Sequence, residues 1–290
     1  MTTSRGVRML KKAILILVVL GAIGLFALSS RAPKEYIIQT TRIDEASGIA
    51  SSYLNSGILW THNDSGGKPE VYGIDNSGHL KAILTLEGVK NRDWEDIATL
   101  KDPKTGKSYI YVSETGDNGA RYPSVFVYRV EEPRINDKDS LYTATSIDKY
   151  EIKYEDGARD AEALFIDPAT KAIYIISKRE EKVGVYRVSS PTTAETNIAK
   201  KISTLPFTWV TAADISPNGK LLLVKTYTSV WRFKLSRARD GGLILSKKAK
   251  AMPYKIEPQG EAVCYDTKGK AYFTLSEAGE SGIQVLYFYK

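Results

Sequence analysis

Short apolar stretches recur along the chain from residue 36 onward, many with every second position apolar. They are rich in Val, Ile, Leu and Tyr and are separated by Gly, Asn, Asp and Pro, which is typical of strands joined by turns. After residue 32, no stretch has the 3.6-residue apolar period of an amphipathic helix three turns long. The pattern therefore predicts an all-β domain over residues 33–290.

Five segments of this domain repeat one outline: a small or acidic residue, a short apolar strand, a turn, and a stronger apolar strand. A third strand follows in each unit, and a fourth follows in the first four units. Four-stranded units repeated at about this interval are typical of β-propeller blades. We therefore predict a five-bladed β-propeller, with six blades as the alternative if the enlarged connection 131–144 contains further strands. The five first strands start near Ser47, Glu95, Glu162, Ala213 and Glu261.

The two ends of the domain are predicted to meet. The last unit stops after its third strand, 283–289, and would leave an open sheet edge, which is an aggregation hazard. A spare apolar strand, 36–42, precedes the first unit. We expect these two strands to pair and to close the ring.

Residues 1–32 form a separate segment, in which four basic residues precede an apolar run over 13–28. This run is short for a membrane-spanning helix, which needs about 20 residues. Two alternatives remain: a signal anchor, which leaves a single-pass protein in the cell membrane, or a signal peptide that is cleaved to give a secreted or periplasmic domain. In both cases the basic flank stays inside and the propeller lies on the extracytoplasmic side.

Charge and composition exclude several classes of function. The net charge is +7, but residues 1–32 supply +5 of it, and the rest of the chain has 36 basic and 34 acidic side chains. A near-neutral domain lacks the excess of basic residues that binds the phosphate backbone of nucleic acids. Cys264 is the single cysteine and there are two histidines, which excludes an intrachain disulfide, a cysteine-based zinc cluster and a multi-histidine metal site.

We expect a monomer.

The five repeat positions predict a ring of oxygen atoms. In a propeller the first strand of each blade lines the central channel, so equivalent positions face one axis. Carboxylates that converge in a narrow channel repel and raise one another's pKa, which a bound cation relieves. Oxygen ligands suit a hard ion of the calcium type. Neighbouring acids deepen the negative field, namely Glu45, Asp93, Asp96, Asp160 and Asp214.

The alternative interpretation needs no ion. The glutamates would pair with Lys178, Lys225 or Arg159, or would only accept hydrogen bonds from strand amides.

The second strands end near the channel mouth, so their last residues are expected to line a pocket for a small anionic ligand or a protein partner. In an enzyme, the metal would polarise a phosphoryl or carbonyl oxygen, Lys178 would offset charge and Asp117 would act as base, with His62 a further catalytic candidate. The alternative is that the Gly- and Asn-rich segments at 63–67 and 116–119 are turns. The expected rim residues are His62, Asp64, Asp117, Asn118, Arg121, Lys178, Lys225 and Glu277.

The four tryptophans are expected to fill the core between blades and not to stack on a ligand. They are Trp60, Trp94, Trp209 and Trp231.

The repeated outline carries a resemblance to known families. The segments Ser-Gly-Ile-Ala at 47–50, Asp-Trp-Glu-Asp-Ile-Ala at 93–98 and Gly-Asp-Asn at 116–118 support it, together with the acidic ring. Over residues 36–290 the chain resembles the five-bladed calcium-activated nucleotidases (apyrases), the bacterial SdiA-regulated family and uncharacterised bacterial membrane-tethered propellers.

The resemblance to the nucleotidases implies a calcium ion beneath the substrate phosphates. Its ligands here would be Ser47, Glu95, Glu162 and Glu261. The fourth position is Ala213, which has no side-chain oxygen, and Thr211 would have to replace it.

The sequence thus favours an exported, membrane-tethered β-propeller whose calcium-type ion supports a ligand-binding or interaction module. The alternative is a metal-dependent hydrolase of phosphoesters, phosphoanhydrides such as nucleotides, or lactones.

Overall fold

The computed structural model describes residues 32–136, 138, 140–279 and 282–290, and these form strands and turns without an α-helix. The predicted signal or anchor segment lies outside the described residues, apart from residue 32. Within them, no helix is long and apolar enough to cross a membrane.

Four sheets, each built from antiparallel meanders, account for the strands. The first sheet contains, in spatial order, β2 (Ala46–Ser51), β3 (Ile58–Asn63), β4 (Glu70–Asp75), β5 (Leu80–Leu86) and β9 (Leu141–Ala144). The second contains β11 (Ala161–Ile166), β12 (Ile173–Ser177), β13 (Gly184–Val188), β14 (Asn197–Thr204), β10 (Asp148–Tyr154), β8 (Val125–Glu131), β7 (Ser108–Glu114) and β6 (Asp96–Lys101). The third contains β15 (Val210–Ile215), β16 (Leu221–Thr226), β17 (Ser229–Arg237) and β18 (Leu243–Met252). The fourth contains β1 (Lys34–Ile37), β21 (Val285–Tyr289), β20 (Tyr272–Ser276) and β19 (Gly260–Tyr265).

The eight-stranded sheet is two meanders joined at their outer edges. Strands β10 and β14 pair in parallel, with 152–154 opposite 197–199. The described part of the chain therefore forms five meanders, and their first strands pack in a closed circle. In this circle β2 contacts β6 and β19, β11 contacts β6 and β15, and β15 contacts β19. This arrangement is that of a β-propeller-like fold.

Two connections differ in detail from the sequence-based expectation. The N-terminal strand that pairs with β21 is Lys34–Ile37, with Lys34 opposite Phe288, whereas the sequence pattern placed it at 36–42. The enlarged connection 131–144 does contain a strand, β9, but β9 pairs in parallel with β5 and extends the first sheet. It therefore does not build a further meander.

The apolar core lies between neighbouring meanders. Trp60 and Trp94 are fully buried in the layer between the first two meanders, as expected from their sequence. A second layer contains Tyr111, Leu164 and Tyr186 and joins the two halves of the eight-stranded sheet. Burial of these faces removes large apolar areas from water and supplies most of the stability of the ring.

Around the axis, polar side chains replace the backbone hydrogen bonds that the first strands do not make with one another. The Ser47 hydroxyl on β2 donates to the Glu95 carbonyl (2.7 Å), and the Thr99 hydroxyl on β6 donates to the Ser51 carbonyl (2.7 Å). The Asp96 carboxylate accepts from the amides of Leu164 (2.8 Å) and Ala213 (3.3 Å). Buried backbone groups are costly when unpaired, so these bonds hold the strands in place.

Asp214 forms one of these links and should make stability depend on pH. Its carboxylate accepts from the Tyr265 amide (2.7 Å), and burial raises its pKa to about 7 from an ordinary 3.8. Because the folded protein then binds a proton that the unfolded chain has lost, stability falls as pH rises from about 4 to 7. Asp214→Asn keeps the accepting oxygen and removes the titration. We expect its melting temperature, measured in chelator from pH 4 to 8, to fall less steeply than that of the wild type.

Asp102→Asn is the control with the opposite sign, because the Lys171 ammonium lowers the pKa of Asp102 to about 2. That ion pair contributes stability above pH 4 that is lost as pH falls towards 2. An Asp214→Asn protein whose melting temperature changes with pH as steeply as that of the wild type would contradict the role of this carboxyl.

Candidate metal centre

Among the residues that the structure describes, seven carboxylates lie together at the mouth of the circle of first strands. They form three groups in which one oxygen of each residue lies within 4.8 Å of the others. The groups share Asp64 and Glu95, so they form one continuous chain of carboxylates, which we call the acidic cluster. The groups are Asp64–Asp93–Glu95, Asp64–Glu261–Glu277 and Glu95–Asp160–Glu162.

The strand pattern explains why these residues meet. Glu95 lies just before β6, and Glu162 and Glu261 lie at the second positions of β11 and β19. Asp64 and Glu277 follow β3 and β20, which are the antiparallel partners of β2 and β19. The start of a first strand and the end of its partner share one edge of the sheet, so all of these carboxylates reach the same mouth.

Gly116 lets the backbone pass close to the cluster. A Cβ atom at this position would collide with Glu95 Oε1 and with the carboxylate of Asp93. The backbone at Gly116 therefore contacts both carboxylates, and any other residue at this position would displace them.

The cluster contains more negative than positive charge. Lys178 forms an ion pair with Glu162, and Arg179 forms an ion pair with Asp160. Among the described residues, the other five carboxylates of the cluster have no ion-pair partner. The Tyr227 hydroxyl donates to Glu261 Oε1 at 2.8 Å, which is a neutral contact.

Burial and crowding make these carboxyl groups hard to ionise. Burial is the main cause of the raised pKa of Asp64, to about 6, and of Glu277, to about 8, and neighbouring carboxylates raise both further. The pKa of Glu95 is well above its ordinary value for the same two reasons. Around neutral pH the cluster therefore keeps protons or needs a cation to replace them.

Ser47 and Thr211, expected as oxygen ligands, lie outside the three carboxylate groups. The Ser47 hydroxyl donates to the Glu95 carbonyl, and the Thr211 hydroxyl donates to the Gly260 carbonyl at 3.4 Å. Both hydroxyls link neighbouring first strands. Of the expected ligands, the structure brings Glu95, Glu162 and Glu261 into the cluster.

His62 and Lys225, expected at the rim, are buried beneath it with no exposed surface. His62 Nδ1 lies 3.0 Å from the Asn63 carbonyl, and burial lowers its pKa to about 4. Lys225 lies 3.6 Å from Glu257 and donates to the Gly260 carbonyl, and burial lowers its pKa to about 8. Each side chain lies on the second strand of its meander, and neighbouring residues cover it completely.

Asp117 and Asn118 have the turn role that the sequence offered as an alternative. The two carboxylate oxygens of Asp117 accept from the amides of Arg121 and Tyr122, each at 2.8 Å. Asn118 accepts from Arg179. Asp117 therefore fixes the loop beside the cluster.

Asp93 and Asp160 were expected only in the surrounding negative field, yet both are members of the cluster. Their signal was the spacing Asp-x-Glu, which occurs at 93–95 and at 160–162. Residues two apart in an extended chain point to the same side, so each aspartate accompanies its glutamate.

Comparisons with known proteins add little to this geometry. No family model matches the chain, and no curated protein matches it. One solved structure that it is similar to is Kuenenia stuttgartiensis hydrazine synthase, with 14% sequence identity and a TM-score of 0.39. The match covers 82% of this chain and 66% of that chain, so it spans slightly less than two thirds of that protein.

The buried pair of Lys178 and Glu162 gives a test of the charge balance. Lys178→Met should destabilise the fold by roughly 3–5 kcal/mol, because it leaves the Glu162 carboxylate buried without its partner. The double variant Lys178→Met/Glu162→Gln should regain most of that loss, because no unpaired charge remains. Urea unfolding at pH 8 in chelator measures both free energies. Additive effects of the two substitutions would contradict the coupling.

Proposed function

We propose that this chain is an exported, membrane-tethered five-bladed β-propeller whose acidic cluster binds a calcium-type ion, and that it acts as a ligand-binding or interaction module. Each of the five meanders is one blade. The basic flank and apolar run of residues 1–32 support export and the tether. The observation that carries the ion site is the accumulation of five carboxylates without an ion-pair partner, within the described residues, in overlapping groups of three.

The donor set favours a hard cation. Every member of the three groups is a carboxylate, and carboxylate, carbonyl and water oxygens are the ligands that calcium prefers. Because Glu162 and Asp160 are neutralised by Lys178 and Arg179, the ion is best held by the opposite part of the cluster. Its ligands there are Asp64, Glu261 and Glu277, with Asp93 and Glu95 beside them.

The binding role is preferred to the hydrolase because the catalytic candidates are already engaged. Asp117 accepts two backbone amides, Lys178 is paired with Glu162, and His62 is buried. An anionic ligand or a protein carboxylate would be attracted only after the ion has offset the charge of the cluster. The partner that fits is therefore one that supplies oxygen atoms to the bound ion.

Glu277→Gln should have opposite effects on stability without and with calcium. In chelator at pH 8.5 we expect a higher melting temperature than that of the wild type, because one crowded carboxylate is gone. In calcium we expect a smaller rise in melting temperature on adding the ion, because one ligand is gone. Differential scanning fluorimetry in chelator and in calcium measures both shifts. Glu195→Gln, at an exposed glutamate outside the cluster, is the matched control and should change neither shift.

Calcium that leaves the melting temperature of the wild type unchanged would contradict the ion site. Hydrolysis separates the binding module from the enzyme: the wild type is assayed on nucleotides, phosphomonoesters and lactones with calcium and with chelator. We expect no turnover. Calcium-dependent turnover of any of these substrates would overturn the binding role.

A further inference from the structure

A groove of about 720 Å³ lies beside the acidic cluster, on the third sheet. Its walls are the loop 206–209 before β15 and the turn 226–229 between β16 and β17, with Trp231 behind them. Tyr227 belongs to both features, because it lines the groove and its hydroxyl donates to Glu261 at 2.8 Å. The groove therefore opens next to the ion site and has its own lining.

Trp209 in this groove is unusual in both its exposure and its backbone. It was expected in the core, yet it is 45% exposed, and its φ of 57° lies in the left-handed region, which is strained for a bulky side chain. Its amide donates to the Lys178 carbonyl at 2.6 Å, which holds this conformation. An exposed indole on a strained backbone, at the wall of a groove, indicates a ligand-binding surface.

The other walls combine aromatic faces with hydroxyl groups. Phe207 and Trp231 stack with their ring centres 5.8 Å apart and their planes at 12°, and the Tyr227 ring centre is 6.4 Å from that of Trp209. Thr228 and Ser229, which carry hydroxyl groups, also line the groove. None of the nine described residues that line the groove is charged or carries an amide side chain.

This lining discriminates among ligand classes. A nucleobase needs paired donors and acceptors along its edge, which amide and carboxylate side chains supply and this groove does not offer. A purely apolar ligand would leave the hydroxyls unused and would favour an enclosed pocket. A pyranose ring has an apolar C–H face that lies on an indole and hydroxyls at its edge that bond to Thr, Ser and Tyr.

We propose that this groove binds a pyranose ring of a neutral saccharide, with Trp209 as its stacking surface. Lys178 and Arg179 lie near the indole, with Arg179 Cζ 5.1 Å from its ring centre, but each is already paired with a carboxylate. The groove therefore offers no free charge, within the described residues, for an anionic ligand. This binding goes beyond the proposed ion site and does not require the ion.

The test uses the full chain, in calcium and in chelator, and titrates methyl glucoside, methyl galactoside, methyl mannoside and N-acetylglucosamine while tryptophan fluorescence is recorded. We expect at least one pyranoside to change the fluorescence saturably in both conditions. Trp209→Gly should weaken that binding about tenfold or more, because the stacking surface is lost. Glycine suits the left-handed backbone, which offsets part of the stability lost with the contacts of the indole, so the variant should remain folded.

Tyr122→Ala is the matched control, since it removes a partly exposed aromatic side chain that does not line the groove, and it should leave the affinity unchanged. Calorimetry replaces fluorescence for Trp209→Gly, whose signal lacks the reporting indole. The proposal is overturned if none of the four pyranosides binds to the wild type, or if Trp209→Gly binds as tightly as the wild type. Calcium binding in the same samples separates this result from failure of the ion site.

Discussion

The first strands of the five meanders converge on one axis. These strands do not pair with one another through backbone hydrogen bonds. Side chains must therefore form the hydrogen bonds that join them. Ser47, Thr99, Asp96 and Asp214 do so by bonding to backbone groups of neighbouring first strands. At Gly48 there is no room for a side chain, since a Cβ would lie 2.8 Å from the Ile97 amide nitrogen. The convergence of these strands also brings the carboxylates of the acidic cluster together.

Carboxylates inside the ring and at its mouth are stabilised in different ways. Asp96 accepts three amides, from Ile97, Leu164 and Ala213, which offset part of the burial that raises its pKa. Glu277 and Asp64 at the mouth lie against other carboxylates. The interior carboxylate is therefore bonded to backbone amides, whereas the carboxylates at the mouth crowd one another.

The repeat pattern made the architecture predictable because each unit has the same local chemistry. Four of the five first strands begin within one residue of their expected starts, since apolar runs between Gly- and Asn-rich turns leave little choice. They begin at Ala46, Asp96, Ala161 and Gly260. The equivalence of Glu95, Glu162 and Glu261 also followed from the repeat, and the structure brings these residues together.

What the sequence could not provide was the direction and depth of single side chains. Ser47 occupies the same repeat position as the glutamates, but its short hydroxyl reaches only the neighbouring carbonyl. Lys225 and Lys178 lie near the ends of equivalent strands and both are buried, yet the first lies beside Glu257 and the second beside Glu162. These outcomes depend on side-chain contacts between meanders, and the spacing of the repeats in the sequence does not predict such contacts.

The contrast between Trp94 and Trp209 shows how local packing divides one residue type between two roles. Trp94 is buried between two meanders, with the imidazole of His62 against its edge at 5.7 Å. Trp209 lies on a loop whose backbone turns the indole outward, and two neighbouring groups hold it there: the Lys178 carbonyl bonded to its amide and the Tyr227 ring beside it. Lys178 and Tyr227 also contact Glu162 and Glu261 of the acidic cluster. The residues that position the aromatic groove are thus the same ones that bound the cluster, so the two features at the mouth share one rigid frame.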